Sequence, residues 1–251
     1  MISADTYQTI LWVMLALSPL VFFILHFISA PYGKFSRKGW GPRIDNRIAW
    51  IIMEAPASLL VALIIMVEAD LSAMLIIFLL IWQLHYFHRA FIYPFTIKGR
   101  ASMPVSIMLL AILFNSINAI LIAYHFVFNA ADYDLGWLYS TYFISGIAMF
   151  ALGFAITKRS DAILRSLPGP GEDGYKIPHG FLYKYISCPN YFGEIIQWAG
   201  WALLTMSPAG FVFFIWTIAN LAPRALTHHR WYKETFLDYP AERKALVPGI
   251  I

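Results

Sequence analysis

The sequence predicts an all-α integral membrane protein of seven transmembrane helices, with the N-terminus outside and the C-terminus cytoplasmic. Three observations carry that expectation. Of the 251 residues, 60% are hydrophobic and 13% charged, and the mean hydropathy is +0.64, far outside the range of a soluble globular domain. Apolar runs fall at roughly residues 7–29, 48–67, 71–93, 103–128, 136–156, 190–206 and 208–223. The first five reach the ~20 residues that a bilayer-crossing helix needs, while the last two are short and meet at Ser207-Pro208. All 18 Lys and Arg residues lie in four windows, Lys34–Arg47, Arg89–Arg100, Lys158–Lys184 and Arg224–Lys244. By the positive-inside rule these windows share the cytoplasmic side, which requires an odd number of spans and sets the orientation.

The net charge of +4 understates this asymmetry, because Asp5, Glu68, Asp70, Asp132 and Asp134 all fall in the segments without cations. A basic face suits anionic lipid or an anionic ligand, and no nucleic-acid motif accompanies it. The single cysteine, Cys188, excludes an intramolecular disulfide and a cysteine metal cluster. The first helix lacks a preceding cationic segment and exceeds a signal-peptide core, so it is expected to be retained.

Helix 1 is apolar apart from Ser18, Pro19 and His26, and is expected at the periphery with the basic loop that follows it, residues 1–47. Residues 48–251 are expected to form the catalytic core and cytoplasmic tail of one domain. In helix 2, Trp50, Glu54 and Ser58 fall at i, i+4 and i+8, with Pro56 placed to loosen the backbone beside the carboxyl. Helix 3 ends in Gln83, His85, Tyr86, His88 and Arg89, with Tyr93 seven residues beyond Tyr86 and so on the same face. An aromatic belt at the interface explains Trp82, Phe87 and Phe91, but not that polar cluster. The turn Ile97-Lys-Gly-Arg100 suits a phosphate or simple solvation. Asn115, Ser116 and Asn118 of helix 4 either line a pocket or bond between helices. After helix 5 a loop rich in Pro and Gly forbids a helix over 168–174, and Tyr175 and Lys176 follow as candidate ligand contacts.

Pro189 suits the first turn of helix 6, after which Asn190, Glu194, Gln197 and Trp198 share one stripe. Ionisable groups at membrane depth face a cavity or a partner, which makes Glu194 a site candidate; the alternative is a hydrogen-bonded helix contact. Beyond helix 7, Arg224, His228 and Tyr232 recur at i, i+4 and i+8, either to hold an anion or nucleotide or to lie on lipid headgroups. No Gly-rich nucleotide-binding signature of a soluble fold is present. His85, His88, His228 and His229 invite a di-iron reading, but membrane di-iron enzymes use about eight clustered imidazoles and this chain has seven histidines, three of them isolated. No metal is expected.

Taken together, Trp50-x-x-x-Glu54-x-Pro56, Gln83-x-His-Tyr-x-His-Arg89, Gly99-Arg100, Ser160-Asp161-x-x-Leu-Arg165, Tyr175-Lys-Ile-Pro178, Asn190-x-x-Gly-Glu-Ile-Ile-x-Trp198 and Arg224-Ala-x-x-His-His-Arg-x-Tyr232 closely resemble the membrane steroid 5α-reductases, as a compact, bacterial-type homologue. The resemblance runs from about residue 48 to the last residue. It implies a seven-helix NADPH-dependent reductase that saturates a carbon-carbon double bond conjugated to a ketone. On that likeness Tyr86 and Glu54 hydrogen-bond the 3-oxo group of a steroid or other hydrophobic enone, Trp50 and Trp198 line its pocket, and hydride reaches the β-carbon before the α-carbon is protonated. Positions matching the family's cofactor contacts are Tyr93, Arg100, Asp161, Tyr175, Lys176, Asn190, Glu194, Arg224, His228 and Tyr232. The membrane would be the inner membrane of a bacterium or the endoplasmic reticulum of a eukaryote, and no signal for an oligomeric state is legible. Competing readings are a related reductase of polyprenol, enoyl-CoA or sterol C14 double bonds, an isoprenylcysteine-type methyltransferase using S-adenosylmethionine, and a transporter or lipid-binding protein without cofactor.

Overall fold

Short polar side chains start most of the long helices by accepting from the first free amides. In a computed structural model that describes residues 2–97, 101–168 and 174–251, Ser3 caps α1 (Ala4–Phe27), Asp45 caps α2 (Asn46–Glu68) and Ser72 caps α3 (Ala73–Phe87). A single π-helical turn, His88–Ile92, leads from α3 into the short α4 (Tyr93–Thr96). Then come α5 (Val105–Asn129), α6 (Thr141–Ser166) capped by Ser140, α7 (Pro189–Thr205) with proline in its first turn, and α8 (Pro208–Thr235) capped by Ser207.

Among the described residues six helical stretches are long and apolar enough to cross a bilayer: Ala4–Phe27, Asn46–Glu68, Ala73–Thr96, Val105–Asp132, Thr141–Ser166 and Pro208–Thr235. The chain is a multi-pass membrane protein. The expected seventh crossing would be α7, but its 17 residues rise only about 26 Å at 1.5 Å per residue, short of the ~30 Å hydrocarbon core.

Helix α6 runs on to Ser166 and α8 to Thr235, well past the apolar runs that end near 156 and 223. Hydropathy locates where a helix leaves the apolar layer, not where its backbone stops, and long cationic side chains continue a helix well. The tail carrying Arg224, His228 and Tyr232 is therefore the end of α8 itself. The all-α expectation holds, and two three-residue strands, β1 (Arg43–Asp45) and β2 (Ser102–Pro104), add one antiparallel pair with Ile44 opposite Met103. They tie the first loop to the start of α5.

Helix α1 buries one stripe, Tyr7, Leu11, Met14 and Ser18, and packs on α8, where Trp216 Nε1 donates to Met14 O (2.7 Å). The interior is aromatic: Phe78, Trp82, Trp198 and Trp201 are fully buried, and Trp82 Nε1 donates to Ala57 O (2.7 Å). Helix α6 lies along α7 with almost nothing between the two backbones. A Cβ on Gly153 would stand 2.3 Å from Gln197 N, one on Gly146 2.4 Å from Leu204 N, and one on Gly200 2.5 Å from Phe150 N. Small residues permit this approach in membranes, where dispersion and not water exclusion drives helix association. Gly153→Ala must therefore push the helices apart; a loss of about 3 kcal/mol, the upper end of ordinary overpacking, is expected. Thermal unfolding in detergent checks it, and an unshifted transition would contradict the seam.

Candidate active site

The centre of the site is a carboxyl and a guanidinium brought together from positions 35 residues apart. Glu54 points inward from α2, and Arg89 reaches it from the π-helical turn, with Nε 3.6 Å from Oε1. A π turn inserts one residue into a helical repeat and commonly marks a functional position. Here it turns Arg89 onto Glu54 while Tyr86 stays in the preceding α-helical frame. Asn115 of α5 donates to Met53 O (2.6 Å) and to Glu54 Oε2 (3.3 Å), so of the two readings of that residue the interhelical bond is what forms, directly on the acid. Helix α2 passes through Pro56 unbroken. Ser58 sits one turn beyond Glu54 and is engaged with Gln83, Oγ to Oε1 at 2.6 Å and Nε2 to Ser58 O at 2.8 Å.

Tyr86 is 3% exposed, with its ring against Trp82 (4.6 Å), His85 (4.9 Å) and Trp198 (5.6 Å). Its hydroxyl has no hydrogen-bond partner among the described residues, although it lies within electrostatic reach of Glu54, Glu194 and Arg89. With its ring buried and its hydroxyl not engaged by the protein, the phenol can donate to a ligand. Trp198 joins this aromatic wall, also touching His85 (4.7 Å) and Phe213 (4.6 Å). Trp50 belongs instead to Tyr93 (5.3 Å) and to Arg89, whose guanidinium stacks 4.5 Å from the indole centre and 5.2 Å from Tyr93. Tyr86 and Tyr93, seven residues apart across the π turn, both lie in the field of Arg89 and Glu194.

From α7, Glu194 lies in the field of Arg89, which Glu54 and Asp161 share. Asn190 Nδ2 donates to Asp161 Oδ1 (3.3 Å), and Asn190 O accepts from Thr157 Oγ1 (3.2 Å). The glycine seam of α6 and α7 sets these pairings. Gln197, expected on the same stripe, bonds His85 Nδ1 (2.9 Å) and keeps its Oε1 without a partner.

A second cluster lies toward the end of α8. A cavity of about 100 Å³ is lined by Tyr32, Lys34, Phe35, Tyr191, Arg224 and His228 among others. Arg224 bonds Asn220 Oδ1 (3.0 Å) and the Tyr32 hydroxyl, and His228 packs edge-on against Phe35 (5.0 Å). Lys34 stands 3.7 Å from the Trp231 ring centre and 4.1 Å from that of Tyr232. Burial drives its ammonium down to about 7, an effect the nearby Cys188 opposes. Among the described residues neither Lys34 nor Arg224 has a carboxylate partner, so the cavity is a buried cationic site whose complement is an anion. Its volume admits a phosphate-sized group and not a whole dinucleotide. Tyr175 packs on Trp231 (5.3 Å), and Tyr232 stacks on Tyr239 (5.3 Å), so both border the cluster. Lys176 is exposed beside them. Arg100 lies outside the described residues.

Arg89 as the shared cation, Lys34, Tyr32 and Tyr191 were not singled out from sequence. The run His85–Arg89 pointed to the first; nothing in a Gly-Lys dipeptide some 190 residues before Arg224 pointed to the others. The four histidines of the di-iron reading go separate ways, His85 to Gln197, His88 to Lys158 (2.8 Å), His228 to Tyr191 (3.5 Å) and His229 to Ser187 (2.6 Å).

Residues 101–251 match the family profile described as 3-oxo-5-alpha-steroid 4-dehydrogenase. The chain is 41% identical over 233 residues to a steroid 5-alpha-reductase of Gossypium hirsutum, covering 90% of each chain. It is 38% identical over 235 residues to that of Arabidopsis thaliana, again over 90% of each. With 3-oxo-5-alpha-steroid 4-dehydrogenase 1 of Bos taurus it shares 37% identity over 242 residues, 94% of this chain and 93% of the relative.

Proposed function

Because the chain belongs to the 3-oxo-5-alpha-steroid 4-dehydrogenase family, we propose that it reduces the Δ4 double bond of 3-oxo-Δ4-steroids with NADPH. The observation that carries this reading is Tyr86, a buried ring whose hydroxyl is left to donate beside Glu54 and Arg89. When bound, NADPH supplies the hydride that reaches the β-carbon of the enone.

The chain's own groups orient and polarise. Tyr86 donates its phenol hydrogen to the ketone oxygen. Glu54, fixed by Asn115 and Arg89, presents a carboxyl proton to the same oxygen. Two donors aimed at one oxygen stabilise the enolate charge more than the neutral ketone, which is the condition for lowering a barrier. Trp82, Trp198 and Phe213 give the substrate apolar walls and keep water out. Glu194, Asp161 and Asn190 would hold the nicotinamide end, and Tyr93 would close it against Trp50. Lys34 and Arg224 would neutralise phosphate in the cationic cavity, with His228, Tyr232, Tyr175, Lys176 and Arg100 completing the nucleotide contacts. In this reading α7, at the lower limit of ~17 residues for a crossing helix, is the seventh span, residues 1–251 form one domain, and the cationic end faces the cytoplasm, where the nucleotide is.

Anaerobic single turnover of NADPH with a Δ4-3-oxo steroid tests the assignment directly. Oxidation of NADPH coupled to loss of the enone is expected; binding of S-adenosylmethionine in its place would defeat it.

The cofactor cavity makes its own prediction. With Lys34 titrating at about 7, the free protein loses this proton as pH rises, whereas bound phosphate restores it. NADPH affinity should therefore weaken about fivefold between pH 7 and pH 8 by proton linkage, and Lys34→Met should flatten that slope. Arg224→Ala removes a charge-assisted bond of ~1.5–3 kcal/mol, about ten- to a hundredfold in affinity. Titration of NADPH binding by calorimetry reads both. A flat profile in the unsubstituted protein, or wild-type affinity in Arg224→Ala, would remove the phosphate assignment.

A further inference from the structure

Between β1 and the cofactor cavity the chain forms a second concavity. Residues Ser36–Arg43 line an open hollow of about 420 Å³, with Arg37, Lys38, Trp40 and Arg43 on its walls. Gly39 (φ 93°) and Gly41 (φ 83°) take left-handed backbone that other residues rarely adopt. A Cβ at either would meet nothing within 4 Å, so these glycines serve the curvature of the loop and not close packing. Two of its cations are held in place. Arg37 Nη2 donates to Ser29 O (2.9 Å) just past the end of α1, and its guanidinium lies 5.6 Å from the Trp40 ring centre. Arg43 Nε donates to Ser102 Oγ (2.8 Å) across the β1–β2 pair. Among the described residues none of Arg37, Lys38 and Arg43 is paired with a carboxylate.

The surroundings say which anion this suits. Phe27 is 80% exposed where α1 ends, Ile28 follows it half-exposed, and Ile48 opens outward in the first turn of α2. A cationic hollow flanked by exposed apolar side chains at the end of a membrane helix matches an amphiphile with a phosphate head and acyl tails. A half-buried indole is the side chain that settles at that depth. We propose that Ser36–Arg43 binds the headgroup of an anionic phospholipid, with its acyl chains along the apolar exteriors of α1 and α2. The loop continues from Lys34 and Phe35, which line the cofactor cavity. A bound headgroup therefore steadies the segment that carries Lys34; this last link rests on the NADPH reading above.

The test uses the full chain in nanodiscs of phosphatidylcholine with or without phosphatidylglycerol, and native mass spectrometry counts the lipid retained on release. Phosphatidylglycerol should be retained over phosphatidylcholine, and the double variant Arg37→Gln/Lys38→Gln should lose that preference by roughly tenfold with an unchanged unfolding temperature. Lys184→Gln, which removes a cation from a different loop, should keep it. Equal retention by the unsubstituted protein and the double variant would overturn the proposal. So would displacement of the lipid by inorganic phosphate or by NADPH, since the site would then be a free-phosphate site. NADPH affinity, measured in both kinds of disc, should be higher with phosphatidylglycerol; equal affinity overturns the link to Lys34 independently of the retention result.

Discussion

Tyr86→Phe is expected to lower turnover of a Δ4-3-oxo steroid by about 10²–10³-fold, the loss that follows removal of one donor to a developing oxyanion. The substitution deletes one oxygen and nothing else. Because that hydroxyl has no protein partner among the described residues and the ring keeps its contacts with Trp82 and Trp198, stability and NADPH affinity should stay as they were. Glu54→Gln should produce a loss of similar size: the amide still meets Asn115 but carries no acidic proton for the ketone oxygen. Glu54→Ala should be worse, since it also opens a gap under Asn115. Single-turnover hydride transfer, nucleotide affinity and thermal stability measured on the same preparations separate these effects. Normal turnover in a folded Tyr86→Phe protein would end the proposed mechanism while leaving the family membership untouched.

Arg89→Met is the second large effect, and it differs in kind. The guanidinium neutralises a region that holds Glu54, Glu194 and Asp161, and it stacks on Trp50 and Tyr93. Removing the cation that buried acids share, Glu194 first among them, destabilises by ~3–5 kcal/mol. The side chains of Arg89 and Glu54 are still 19% and 12% exposed, so the lower end, about 3 kcal/mol, is expected. Turnover should fall as well, even at temperatures where the variant is folded, because Glu54 loses the group that orients it. Arg89→Lys restores the charge without the planar stack or the forked geometry, so it should recover stability better than activity. An Arg89→Met protein with unshifted unfolding and full turnover would show that the pair is incidental.

The parts of this site that share one helix were legible in the sequence. Arg224, His228 and Tyr232 follow α-helical spacing and do share the end of α8; Asn190 and Glu194 do project from one side of α7 toward Asp161 and Arg89. Glu54 was visible as an acid inside an apolar run. What stayed hidden depends on more than one element or on irregular backbone. The π turn is invisible to a 3.6-residue period, so the sequence groups Arg89 with its neighbours but does not show that it turns onto Glu54. Lys34 acquires its character only by folding onto Trp231, nearly two hundred residues later. The β1–β2 pair is three residues long, below what alternation can reveal, and the contact of α6 with α7 depends on which glycines face each other.

That contact bears on motion. Two backbones touching without side chains between them have no rotamers to rearrange, so α6 cannot slide along α7 by part of a turn as helices joined through flexible side chains do. Asp161 and Asn190, one from each helix, are thereby held at one spacing. On the NADPH proposal, any opening of the site must hinge elsewhere. The first loop is joined to the rest by ring stacking, the two-strand clip and hydrogen bonds from Arg224 to Tyr32 and from Ser106 to Trp40 O, contacts that can be exchanged more readily than a backbone seam. Amide hydrogen exchange should accordingly be slowest along the α6–α7 seam and respond to cofactor chiefly between Tyr32 and Arg47.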